Sequence, residues 1–151
     1  MDETMTALER LAPKQGITLG ALGASDLHVV LALAARCLPM GPPQTEREVN
    51  TFLQTWLAGT GAMLRIDHVE LRRTLIDFGL WERDGFGHAY RRVHSLANAA
   101  LAQHAAALAD FDAERFVANC RAQHAADRAL RKSNYGDAIK GTLPSPAPLR
   151  P

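Results

Sequence analysis

A chain of 151 residues can bury a core of its own without disulfide or metal staples. Its 47% hydrophobic and 22% charged residues exclude a disordered or fibrous chain, and a net charge of +1 excludes the broad positive field of a general nucleic-acid binder. The longest apolar run, Leu27 to Leu38, is interrupted by His28 and Arg36 and falls short of the ~20 residues that span a bilayer, so no membrane association is expected. The start, Met1-Asp2-Glu3-Thr4, is acidic where a secretory leader is basic, and Cys37 and Cys120 stand in no cysteine-rich framework. A reduced, cytoplasmic setting is expected.

Residues 1–24 read as a loosely held N-terminal arm, polar and then glycine-rich, with Gly16, Gly20 and Gly23 spaced too irregularly for a phosphate loop. Ser25 offers the first good cap, for a helix over Asp26 to Leu38 that is apolar on so much of its circumference that it must be buried. Pro39, Gly41, Pro42 and Pro43 stop it. Thr45 with Glu48 forms a capping box for a helix over 46–57, whose Val49, Phe52, Leu53, Trp56 and Leu57 follow the amphipathic template. Asp67 caps a third helix over 68–78, ended by Gly79.

From Leu80 to Val93 the period changes to two. Strands over 80–83 and 88–93 flank a four-residue turn, Asp84-Gly85-Phe86-Gly87, in a register that sets Arg83 against His88 and Trp81 against Tyr90. Beyond Val93 the chain is alanine-rich and helical, first over Ser95 to Leu108 and then from near Asp112, where Phe111 and Phe116 fit a hydrophobic staple. The alternating prolines of the tail predict disorder.

The resulting fold is mainly α with a small β-hairpin: a winged helix, three helices plus a wing, with appended C-terminal helices. The expected organisation is an arm at 1–24, the winged-helix-like domain at 25–93, a C-terminal helical extension at 94–140 and a disordered proline-rich tail at 141–151.

The residues Glu48-Val49-Asn50, the run Leu71-Arg72-Arg73-Thr74-Leu75-Ile76-Asp77-Phe78-Gly79, and Tyr90-Arg91 together resemble the bacterial family called domain of unknown function 2087. The likeness covers about residues 25–93, with a longer and more glycine-rich connection over Leu57 to Arg65 than is usual there. That family stands alone and also occurs fused to winged-helix repressors of the ArsR type, so the resemblance implies a regulatory, DNA-binding setting and no catalytic residue.

The third helix gives that implication little electrostatic support, because its outward arc holds Glu70, Arg73, Thr74 and Asp77. Over 45–93, seven basic residues balance seven acidic ones. Only the wing offers a local basic patch, so the candidate DNA contacts are Arg83, His88, Arg91 and Arg92 of the wing, together with Arg73 from the third helix. Arg91 and Arg92 point to opposite faces of a strand, so at most one of them faces solvent while its neighbour leans on the core. Arg72 falls between two apolar patches and is read as half of a structural ion pair with Glu82 or Asp84, locking the wing onto the third helix.

Enzymatic readings fare worse. His68-x-Glu70 is followed by no Pro-Cys-x-x-Cys, the six histidines never fall at i, i+4 on one helix, and neither cysteine has a neighbouring His or Lys to activate it. No metal, cofactor or catalytic residue is expected. Leu96, Leu101, Leu108, Phe116, Val117 and Leu130 must pack on the winged module or on a second copy, which predicts a homodimer. The leading expectation is a regulator touching double-stranded DNA weakly, and the alternative is a non-enzymatic adaptor that docks a protein partner on the acidic arc of the third helix.

Overall fold

Asp2, ahead of Ser25, provides the first helix cap: its carboxylate accepts the Thr4 amide at 2.6 Å and opens α1, Glu3–Leu11. The computed structural model describes residues 2–86 and 88–142, and in it the arm expected to be loose is this helix. Thr4, Ala7, Leu8 and Leu11, spaced i, i+3, i+4 and i+7, are buried, so α1 is held by the core. After it, Ile17 pairs in parallel with Leu64, its amide donating to the Met63 carbonyl at 2.9 Å. The glycine-rich stretch is thereby sewn to the long connection that precedes the third helix of the winged unit.

The buried helix α2 runs Ala24–Ala35, two residues earlier at its start and three shorter at its end than expected. Gly23 sits at its N-cap, and the Ser25 hydroxyl donates to Glu3 at 3.0 Å. Every residue from Val29 to Ala35 is buried. Helices α3, Glu46–Ala58, and α4, His68–Asp77, follow with the caps read from the sequence: Thr45 accepts from the Glu48 amide, Asp67 from the Glu70 amide, and Gly79 ends α4 at φ +76°.

The hairpin comprises β1, Trp81–Arg83, and β2, Tyr90–Arg92, antiparallel. Its register differs from the expected one by two residues: Trp81 faces Arg92, Glu82 faces Arg91 and Arg83 faces Tyr90. The connection is longer because Asp84 spans it, its amide donating to the Ala89 carbonyl at 3.0 Å and its carboxylate accepting the His88 amide at 2.8 Å. A shift of two leaves each side chain on its face, so Trp81 and Tyr90 are still buried together, as diagonal neighbours. Each contributes roughly 2–3 kcal/mol of apolar burial.

Gln44, between α2 and α3, exchanges both backbone hydrogen bonds with Tyr90 at 2.8 Å, adding a single residue as a third strand beside β2. The order helix, short strand, two helices, two-stranded ribbon is that of a winged helix. The Trp81 indole N–H donates to the Ala35 carbonyl at 3.1 Å, which anchors the wing on one of the carbonyls that the end of α2 leaves without an intrahelical partner.

Two further helices complete the body. Helix α5, Ala99–Ala109, starts at an Asn98 cap, four residues after the expected Ser95, and packs along α2. Its buried His104 meets the buried Thr4 hydroxyl of α1 at 2.7 Å. Helix α6, Ala113–Thr142, begins with the expected Phe111–Phe116 staple, ring centroids 5.8 Å apart and edge to face. Arg121 fastens α6 to the body by donating to the carbonyls of Ala12, Gly59 and Thr60 at 2.8, 2.9 and 2.6 Å. Leu101, Leu108 and Val117 join the same core as α1 to α4 and the wing. Residues 141 and 142, expected in the tail, are the last of α6, and the tail from residue 143 onward lies outside the described residues.

Candidate functional site

Alternation along β2 divides its two arginines. Arg91 stands on the outward face of the ribbon, exposed and opposite the exposed Glu82. Arg92 turns inward and is half-buried. Arg83 is exposed at the end of β1, and His88 is exposed in the connection, where its ring stacks on Phe86 with centroids 6.4 Å apart. The Phe86 side of that stack is 84% exposed, an aromatic ring offered to solvent at the tip of the wing. The His88 amide holds the Asp84 carboxyl below the usual aspartate range, so the tip carries a fixed negative charge beside these cations.

Arg72 is tied elsewhere than expected. Its guanidinium pairs with Glu46 at 3.1 Å and donates to Asn50, both on α3, whereas the expected partners Glu82 and Asp84 stay on the exposed ribbon. The reason lies in the path of α3: the capping box places Glu46 and, one turn on, Asn50 beside α4, closer to Arg72 than the outward-facing carboxylates. With 11% of its side chain exposed and its guanidinium carbon 5.7 Å from the centroid of the Tyr90 ring, Arg72 joins α3, α4 and β2. On the open side of α4, Glu70, Arg73 and Asp77 are exposed, while Thr74 is half-buried and its hydroxyl donates to the Glu70 carbonyl.

Of the five candidate contacts, Arg73, Arg83, His88 and Arg91 are therefore on the surface, and Arg92 belongs to a different place. It lies beside Arg36, which is bound to Glu114 at 3.0 Å and donates to the Leu108 carbonyl at 3.1 Å. Burial and the neighbouring Arg36 charge both pull the Arg92 pKa down. Arg36 and Glu114 carried no functional reading in the sequence, although an arginine inside the apolar run 27–38 is itself a signal that a partner must meet it. Among the described residues no group of three or more His, Cys, Asp or Glu side chains is placed to hold a metal, and no helix is long and apolar enough to cross a membrane.

Comparison with known families matches residues 24–92 to one described as an uncharacterized protein conserved in bacteria (DUF2087). No curated protein and no solved structure matches the chain.

Proposed function

We propose that the chain, whose residues 24–92 match the DUF2087 family of bacterial proteins, is a non-enzymatic, cytoplasmic regulatory module that touches double-stranded DNA through its wing. The observation that carries the reading is the split of β2, which leaves Arg91 outward on a ribbon whose other exposed groups include Arg83, His88 and the Phe86 ring. Cations and an aromatic on a narrow projecting ribbon suit phosphate contact and insertion at a groove. Arg73 adds one cation from α4. Arg72 has no part in it, because its donors are spent on Glu46 and Asn50.

A second reading has its own support. Glu70 and Asp77 flank Arg73 on the open side of α4, and such an arc repels phosphates and suits a basic surface on a protein partner. Anisotropy of a labelled arbitrary duplex at low salt separates the two: a saturable rise supports DNA contact, and a flat response up to high protein concentration transfers the function to the adaptor.

The module acts as a homodimer through α6. Every described side chain from Ala122 to Tyr135 is exposed, including Leu130 at 61% and Tyr135 at 71%, so this stretch of the helix buries little surface against the other described residues. Light scattering over a concentration series tests this, and a monomer mass persisting into the high micromolar range refutes it.

A further inference from the structure

We propose that the cleft between α2, α5 and β2 is a binding site for a small monocarboxylic acid with an apolar body, its carboxylate held by Arg92. The cleft measures about 270 Å³ and is walled chiefly by small or apolar side chains, among them Ala32 and Ala35 of α2, Ala102 and Ala105 of α5, Leu80 and Leu96. The alanines matter because α2 and α5 pack along one another there, and residues without bulk on both facing surfaces leave room where larger ones would close the seam. Among the described residues, Arg92 is the one arginine or lysine in this lining and no carboxylate faces it there; the exposed His94 is the other ionisable side chain.

The charge balance around Arg92 specifies the ligand. Two guanidiniums, Arg36 and Arg92, sit near one carboxylate, Glu114, and Arg36 takes both of its oxygens, at 3.0 and 3.2 Å. Asp112, a neighbour of Glu114, is exposed and caps α6 by accepting from the Arg115 amide at 3.0 Å. Arg92 is left half-buried with no hydrogen bond or ion pair to any described residue, and its planar five-donor group stays open to the cleft and solvent. A carboxylate matches that fork in two parallel hydrogen bonds. One unpaired cation balances one negative charge, so a monoanion fits and a multiply charged phosphate does not, while the alanine and leucine walls require an apolar body behind the charged head. The site faces the interior side of β2, away from Arg91, and does not rest on the DNA reading.

Isothermal titration calorimetry of the full chain with sodium hexanoate and with hexanamide tests it. The amide has the same body and no charge. Hexanoate is expected to bind at least tenfold more tightly than hexanamide; Arg92→Gln removes that preference, and Ala105→Leu, which fills the cleft and keeps Arg92, weakens both ligands. Equal affinity for acid and amide overturns the proposal, as does hexanoate binding that survives Arg92→Gln, or no heat from hexanoate at any soluble concentration. The comparison of acid with amide uses the unaltered chain, so it decides the matter even if a variant fails to fold.

Discussion

Arg72 and Tyr90 are stacked, guanidinium over ring at 5.7 Å, so the helix that carries Arg72 and the strand that carries Tyr90 are held in register by a cation and an aromatic. Because the same guanidinium also binds Glu46 and Asn50, three elements meet on one side chain. Arg72→Met keeps the stem and removes the charge. It is expected to lower stability in urea denaturation by about 1–2 kcal/mol, the loss of charged hydrogen bonds tempered by the exposure of Glu46. Duplex binding by the fraction that remains folded should be unchanged, and a selective loss of binding with stability intact would show that Arg72 reads DNA after all.

Gly61 lies against the flat of the Trp56 indole, and a Cβ built there would overlap the ring. Since Trp56 is buried and its backbone carbonyl accepts the Gly61 amide at 2.7 Å, neither partner can retreat easily. Gly61→Ala should destabilise the chain by about 2–3 kcal/mol, measured by urea denaturation followed by tryptophan fluorescence. Gly20→Ala, which meets nothing within 4 Å, should stay within about 0.5 kcal/mol of the parent. Similar effects at both positions would mean the close approach at Trp56 does not exist.

Burial pushes the Cys37 thiol up to about 12. The reactive species is the thiolate, whose share at pH 8 is then only ~10⁻⁴. Iodoacetamide should modify Cys120 first, since its thiol is raised by a lesser burial, and should reach Cys37 only as the chain unfolds. Peptide mapping that finds Cys37 alkylated faster than Cys120 under native conditions would contradict this.

Burial acts to raise the Glu114 carboxyl, but the hydrogen bonds from Arg36 prevail and hold it below the usual glutamate value. A depressed carboxyl contributes stability in full above its unfolded pKa and loses it as pH falls through the folded one. For a partly exposed pair the contribution is on the order of 0.5 kcal/mol. The stability gap between the parent and Glu114→Gln should therefore hold from about pH 7 to pH 5 and shrink as the pH falls further. A gap that widens toward acid would reverse the assignment.

Much of the fold was legible because local chemistry is strong there. The Thr45 and Asp67 caps, the Phe111–Phe116 staple and the period change after Gly79 are short-range patterns, and each appears where its residues predict. Local pattern does not reveal α1 because its apolar stripe is only Thr4, Ala7, Leu8 and Leu11, diluted by charged residues between, and its burial depends on α2, α5 and α6 closing over it. The hairpin register turned on Asp84 bracing a wider connection, which alternation alone cannot distinguish from a tight turn. At the site, the sequence separated Arg91 from Arg92 by strand geometry. It could not supply the partners of Arg72, or the company of Arg36, Glu114 and Arg92, because those residues are distant in sequence and meet only through helix packing.

The salt dependence of duplex affinity tests the central claim most directly. If Arg83, Arg91 and Arg73 contact phosphates, log K should fall with log salt at a slope of about −2.7, and Arg91→Glu should flatten that slope by about 0.9 or more. An affinity insensitive to salt, a slope unaltered by Arg91→Glu, or no binding at low salt would contradict a wing that docks on DNA.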